Sequence, residues 1–127
     1  MNPSLQEAQT AAETWSAQEL LLWAAREFGA AAALASSFGL EDITLIDIVS
    51  RIGAPFPVFT LDTDFLFPET YELITKVEAK YRLNIERLRP KLTPDEQSRK
   101  FGYALWTTQP DRCCAVRKVE PSASFMI

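Results

Sequence analysis

The spacing of apolar residues along the chain predicts alternating helices and strands. Ser16 and Glu19 have the spacing of a helix capping box, and the leucines that follow share one face with Trp23. Gly29 is typical of the residue that ends such a helix. Small apolar residues at 30–35 then predict a buried strand that ends at a pair of serines. A helical segment over residues 1–29 is therefore expected to lead into a sheet.

The order of strand and helix then recurs. Aromatic and β-branched residues predict two further strands, at 56–61 and 83–88. Glycine, proline and capping-box signals delimit a helix after each strand, and these helices are predicted at 40–52, 68–81 and 94–101. Three such units are typical of an α/β domain, a parallel sheet flanked by helices. Ligands of such sheets bind beyond the carboxyl ends of the strands.

Composition excludes several kinds of chemistry. The chain has 127 residues, enough for one domain, and 47% of them are hydrophobic. It has two cysteines and no histidine, which excludes histidine dyads, imidazole zinc sites and a four-cysteine metal site within the chain. The net charge of −4 argues against a surface that coats nucleic acid. Residues 76–127 nevertheless carry eleven basic and six acidic side chains, so an anion is expected to bind in this half.

The sequence also bears on location. No segment approaches the roughly 20 apolar residues of a membrane span, and the start, Met1-Asn2-Pro3, lacks the features of a signal peptide. We therefore interpret the chain as a cytoplasmic protein with no membrane or nucleic acid partner. In that compartment Cys113 and Cys114 are expected to be reduced thiols or metal ligands.

Two polar loops follow predicted strands and are candidates for ligand binding. The loop from Ser36 to Asp42 combines hydroxyls, a glycine and a helix N-terminus, which suits a phosphate or sulfate, although an ordinary strand-to-helix turn has the same composition. The loop Asp62-Thr63-Asp64 places carboxylates where a ribose hydroxyl binds in dinucleotide sites. A solvated turn is the alternative interpretation there.

Cys113 and Cys114 are the most specific local feature. Adjacent cysteines cannot form a relaxed disulfide, because their Cα atoms lie only about 3.8 Å apart. Nearby cations favour the thiolate form that reacts or binds metal, and three are present: Arg112, Arg117 and Lys118. Metal or redox use is therefore favoured over simple burial. The neighbouring aromatic residues Phe101 and Trp106 are predicted to be core residues.

These segments follow one another in a recognisable order. They are Ser-Ser-Phe-Gly-Leu-Glu-Asp at 36–42, Leu-Asp-Thr at 61–63, Leu-Phe-Pro-Glu-Thr-Tyr at 66–71, Phe-Gly and Leu-Trp within 101–106, and Pro-Asp-Arg-Cys-Cys and Arg-Lys-Val-Glu-Pro within 110–121. In this order they resemble the assimilatory adenylyl-sulfate reductases, the iron-sulfur branch of the phosphoadenylyl-sulfate reductase family. The resemblance covers most of the chain between residues 30 and 121.

The resemblance implies an adenine nucleotide α-hydrolase-like fold of the PP-loop type. It implies a substrate site for adenylyl sulfate or AMP, made of Ser36, Ser37, Phe38, Gly39 and Asp42 around the phosphosulfate, Leu61, Asp62 and Thr63 at the adenosine, and Arg117 and Lys118 near the sulfate. Family members with the cysteine pair bind a 4Fe–4S cluster and usually prefer adenylyl sulfate. Cys113 and Cys114 would supply two of its four ligands.

The resemblance also implies a reaction. A cysteine thiolate on a mobile C-terminal segment attacks the sulfate sulfur, AMP leaves, and thioredoxin releases sulfite from the resulting thiosulfonate. No histidine is needed for this chemistry. In the family the nucleophilic cysteine and the second cysteine pair lie downstream of the Arg-Lys-Val-Glu-Pro motif, so neither Cys113 nor Cys114 is expected to be the nucleophile.

Three departures from the family pattern are expected to matter. The chain is expected to be a reductase truncated at its C-terminus, with a partial nucleotide-binding domain at 30–121 and an atypical tail at 122–127. Residues 121–127 look unlike the helix that should continue there. Asp64 stands where the family pattern usually has glycine, and its carboxylate is expected to crowd or repel an anionic nucleotide.

Three functions remain open at this point. The first is adenylyl-sulfate reduction by family, with catalysis lost from this chain. The second is a non-catalytic nucleotide-binding or interaction module, and the third is a PP-loop adenylyl transferase that acts on ATP. An incomplete sheet would expose an edge, so association with a partner is also expected.

Overall fold

A three-stranded parallel sheet organises the chain. The computed structural model describes residues 5–126, and the strands β1 (Leu34–Ala35), β2 (Val58–Leu61) and β3 (Glu86–Leu88) lie in that order across the sheet. Leu34 pairs with Val58, and Phe59 pairs with Glu86. The α/β prediction, a parallel sheet flanked by helices, is confirmed. The association expected at the sheet edges, which are β1 and β3 among the described strands, stays a prediction.

Eight α-helices accompany the sheet in the described residues. They are α1 (Leu5–Ala12), α2 (Ala17–Phe28), α3 (Leu40–Ile52), α4 (Pro68–Tyr81), α5 (Pro94–Phe101), α6 (Leu105–Thr108), α7 (Pro110–Cys114) and α8 (Glu120–Phe125). Both predicted capping boxes form: the hydroxyls of Ser16 and Thr93 each accept a backbone N–H at 3.2 Å. The helices with clear start and stop residues therefore lie where the sequence predicts them.

The predicted strands are longer than those observed. Residues Gly29–Ala31 form a 3₁₀ turn in which Ala32 donates its N–H to Gly29, so β1 begins only at Leu34. Pro57 has no N–H to donate, and β2 begins one residue later. The N–H of Ile85 donates to the Glu78 carboxylate at 3.0 Å instead of to a strand, and β3 begins at the next residue.

The prediction that residues 121–127 are not helical is wrong for residues 121–125, which belong to α8. A π-helical turn at Ala115–Val119 joins α7 to α8, and Glu120 donates its N–H to Ala115. The wider turn relieves the clash that the Pro121 ring would make with a carbonyl four residues earlier. Ile127 lies outside the described residues, as do residues 1–4 that bear on the N-terminal interpretation.

The main core lies between β2 and the helices α3 and α4. Its buried members are Phe38, Ile46, Val58, Ile74, Val77 and Ile85. Ile46 is fully buried, with no solvent-exposed surface. The core therefore holds the first residue of β2 and Phe38, which lies just before α3, against α3 and α4.

Ile46→Ala is expected to lower the free energy of unfolding by about 2 to 5 kcal/mol, because it leaves a cavity in this core. Chemical denaturation followed by circular dichroism measures the change. Leu40→Ala on the same helix is the control: Leu40 is 80% exposed, and its loss should cost no more than about 0.5 kcal/mol. Equal effects of the two substitutions would contradict this assignment of the core.

Candidate functional site

A cavity of about 910 Å³ lies where β1 and β2 end and α7 passes over them. Nine of the twelve residues singled out from the sequence line it: Ser36, Ser37, Asp42, Leu61, Thr63, Cys113, Cys114, Arg117 and Lys118. The other three, Phe38, Gly39 and Asp62, do not line it. Segments far apart in sequence thus meet at one site, at the carboxyl edge of the sheet as parallel strands require.

The loop after β1 is held by hydrogen bonds to the carboxylate of Asp42, in the first turn of α3. Ser37 donates both its N–H and its hydroxyl to Asp42, each at 2.7 Å. The Ser36 hydroxyl accepts the N–H of Phe38, which has a left-handed φ of 64° and a side chain buried in the core. The hydroxyl of Ser37 and then its N–H lower the pKa of the Asp42 carboxyl. Both donors of Ser37 are therefore occupied by the Asp42 carboxylate.

Asp62 fixes the end of β2 from within. Its carboxylate accepts the Tyr71 hydroxyl at 2.7 Å and the Asp64 N–H at 3.0 Å, and it lies 3.4 Å from the Arg89 guanidinium. Burial, and then donation to Asp62, raise the pKa of Tyr71. Asp62 is itself buried, so its contacts position the strand end.

Arg117 joins several segments of the chain in the cavity wall through hydrogen bonds. Only 2% of the residue is exposed, and its guanidinium donates to the carbonyls of Thr63 and Leu92 at 3.1 and 2.8 Å. It also donates to Gln97 at 3.2 Å and to the Asp64 carboxylate at 2.7 Å. These contacts join the loop after β2 to α5 and to the helix that carries the cysteines.

Asp64 lies in a position that suits its charge and its backbone. Its φ is 66°, a left-handed conformation that favours glycine but that aspartate tolerates. Its carboxylate pairs with Arg117 and does not line the cavity. The negative charge that was expected to repel a nucleotide is therefore balanced by a buried cation.

The two cysteines occupy different environments. The Cys113 sulfur is buried and accepts the Gln97 side-chain N–H at 3.7 Å, whereas Cys114 is exposed. Lys118 is exposed at the same wall. Within residues 5–126 no group of three or more metal-ligating side chains is assembled. Because a 4Fe–4S cluster takes four thiolates and the chain has two cysteines, these residues do not complete such a site on their own.

Sequence reasoning did not identify Phe65 and Trp106 in the cavity wall or Gln97 behind it. The prediction that Trp106 is a core residue is wrong: it is 47% exposed and lines the cavity, with its ring 5.3 Å from that of Phe65. Gln97 is buried behind Cys113. Aromatic type alone does not separate a core residue from one at a cavity mouth, and a glutamine in a polar helix gives no sequence signal.

None of the helices described between residues 5 and 126 has the length and apolar character to cross a membrane.

Asp42→Asn is expected to destabilise the fold at neutral pH, since the carboxylate that holds both Ser37 donors is lost. The pKa of Asp42 is lowered by folding, so its contribution is present above the ordinary aspartate pKa of about 4 and is lost as the pH falls through the lowered value. Thermal unfolding midpoints of the two proteins should therefore converge in acid. The exposed Asp95→Asn is the control, and a difference that persists unchanged at low pH would contradict this role.

Comparison with known proteins identifies the family. The model of the phosphoadenosine phosphosulfate reductase domain matches residues 31–126. The adenosine 5'-phosphosulfate reductase of Halalkalibacterium halodurans is 40% identical over 119 residues, which cover 93% of this chain and 52% of that protein. That of Geobacillus kaustophilus is 46% identical over 110 residues, 86% of this chain and 47% of that protein.

A solved structure supports the same assignment. The crystal structure of phosphoadenylyl-sulfate reductase from Candida auris, a phosphate complex, superposes with a TM-score of 0.82 at 29% identity. The match covers 98% of this chain and 63% of that one. The chain spans about half the length of the curated relatives it matches. It belongs to the phosphoadenosine phosphosulfate reductase domain family.

Proposed function

We propose that this chain binds adenylyl sulfate, and its product AMP, in the cavity at the carboxyl edge of the sheet. The observation that carries the proposal is the meeting of the serine loop after β1, Thr63 after β2 and the Cys113-Cys114 helix at one cavity. Relatives named adenosine 5'-phosphosulfate reductase support this choice of nucleotide.

The size and lining of the cavity suit such a ligand. A volume of about 910 Å³ is at the upper end of the range of about 300 to 1,000 Å³ for small-molecule sites. Phe59, Leu61 and Phe65 offer apolar surface for a base. The hydroxyls of Ser36 and Thr63 accept backbone N–H groups and can still donate to a ligand. Arg117 is committed to acceptors of the chain, so Lys118 is proposed as the cation that meets the sulfate.

The proposed reaction is the reduction of adenylyl sulfate to sulfite and AMP in the cytoplasm. A cysteine thiolate other than Cys113 and Cys114 forms a bond to the sulfate sulfur while the bond from sulfur to the phosphate oxygen breaks, and AMP leaves with that electron pair. The two electrons that release sulfite come from a dithiol, proposed to be thioredoxin, which becomes a disulfide. The Lys118 ammonium stabilises the negative charge on the transferring group.

Cys113 and Cys114 are proposed as two of the four ligands of an iron-sulfur cluster. Both thiols line the same cavity, and adjacent cysteines cannot close a relaxed disulfide with each other, so both sulfurs are free to serve as ligands. Both cysteines of the chain are assigned to this use, so neither is assigned as the nucleophile. The chain alone is therefore expected to bind nucleotide without releasing sulfite from adenylyl sulfate and reduced thioredoxin.

Isothermal titration calorimetry with adenylyl sulfate, AMP and ATP tests the proposed ligand. Adenylyl sulfate should bind more tightly than ATP, and Lys118→Ala should weaken its binding by about tenfold, the cost of a charged hydrogen bond. AMP lacks the sulfate, so Lys118→Ala should weaken the binding of AMP by a smaller factor. Lys91→Ala is the matched control, because Lys91 does not line this cavity.

Two outcomes would contradict the proposal. Absence of binding to any of the three nucleotides would remove the site. Tighter binding of ATP than of adenylyl sulfate would favour the adenylyl transferase alternative instead.

A further inference from the structure

Gln97 connects the buried ion pair to the buried cysteine. It lies on α5 and is only 2% exposed. Its side-chain oxygen accepts from Arg117 at 3.2 Å, and its side-chain nitrogen donates to the Cys113 sulfur at 3.7 Å. One amide group thus contacts both a committed cation and a proposed ligand sulfur.

The orientation of this amide is set by Arg117. A guanidinium carries donors and no acceptor, so only the amide oxygen of Gln97 can face it. The amide nitrogen must then face Cys113. Arg117 cannot turn away easily, because the Thr63 carbonyl and the Asp64 carboxylate also hold it, at 3.1 and 2.7 Å.

We propose that Asp64, Arg117 and Gln97 form a chain of contacts that fixes the Cys113 sulfur as a hydrogen-bond acceptor and makes the two adjacent cysteines inequivalent. Gln97 and Asp64 are positioning residues in this chain of contacts. Asp64 acts at its far end, where a left-handed backbone conformation lets the carboxylate reach Arg117.

The contacts have a direct chemical consequence for the pair. A donor held behind a sulfur orients it and stabilises electron density on it, as outer hydrogen bonds do for ligand atoms in general. Cys113 has such a donor, whereas Cys114 is exposed and has no hydrogen-bond donor to its sulfur among the contacts of residues 5–126. Cys113 is therefore the anchored sulfur of the pair, and Cys114 is the adjustable one.

This inference deepens the proposed use of the cysteines, yet the hydrogen bond itself needs no bound ligand. Heteronuclear NMR on the full chain, without nucleotide, can therefore test it. The measured quantity is the rate at which the Gln97 side-chain amide protons exchange with water. The exposed side chain of Gln18 is the reference.

Exchange at Gln97 is expected to be slower than at Gln18. Cys113→Ala should accelerate it by about tenfold, as loss of one hydrogen bond allows, and Cys113→Ser, which restores an acceptor, should recover most of the protection. Cys114→Ala should leave the rate unchanged. Asp64→Gly keeps the left-handed backbone accessible but frees Arg117, and should accelerate exchange about threefold.

Equal acceleration by Cys113→Ala and Cys114→Ala, or no rescue by serine, would overturn the inference. If Cys113→Ala does not fold, the serine variant and Asp64→Gly still decide. A protein that shows the protected amide but binds no nucleotide by calorimetry would refute the proposed function alone. A protein that binds nucleotide but shows no protection of the Gln97 amide would refute the chain of contacts and leave the proposed nucleotide binding intact.

Discussion

The buried guanidinium of Arg117 is the interaction on which the cavity wall depends. A cation removed from water is strongly unfavourable unless its charge and its donors are satisfied. Here the Asp64 carboxylate balances the charge and takes one donor, and two backbone carbonyls and one amide oxygen take three of the other four. Removal of any one partner leaves the others bound to a poorly compensated charge. The end of β2, the start of α5 and the cysteine helix are therefore coupled in energy as well as in space.

The ion pair of Arg117 with Asp64 also bears on how an anionic ligand could bind beside loops that are rich in acidic residues. The proposed ligand, a sulfated nucleotide, needs positive charge, and the first 75 residues, which supply the strand-end loops, carry eleven acidic and two basic side chains. The Arg117 guanidinium balances one of those acidic groups, Asp64. Asp42 keeps its charge, because the Ser37 donors stabilise the ionised carboxylate. Of the two carboxylates, only that of Asp42 lines the cavity.

Local signals explain which parts of the fold were predictable from sequence. Helices α2, α3, α4 and α5 have caps, prolines or glycines at their ends, and these are short-range effects that a sequence displays directly. Strand starts were misjudged because they depend on competing partners: Pro57 lacks a donor, and the Ile85 N–H is taken by Glu78. The helical tail was missed because Pro121 usually marks an end, whereas here the π turn accommodates it.

The sequence predicted those parts of the site in which the residue type alone indicates the chemistry. Serines and carboxylates at strand ends, together with the adjacent cysteines, indicated the site, and nine of the chosen residues line the cavity. The sequence could not show that Arg117 would be buried, because arginine is ordinarily exposed. It could not show Gln97 either, since the meaning of that residue arises only from contacts 16 and 20 positions away.

The π turn at Ala115–Val119 also sets the angular relation between the two ends of the last helical segment. Each residue of an α-helix advances about 100° around the axis, so the additional residue of a π turn rotates everything beyond it by about that angle. Cys113 and Arg117 precede or lie within the turn and face the cavity. Phe125 follows it and packs against Phe59 of β2, with ring centroids 4.4 Å apart and the ring planes tilted by 38°. In a regular helix of the same length, one of these two groups would face about a quarter turn away from the sheet.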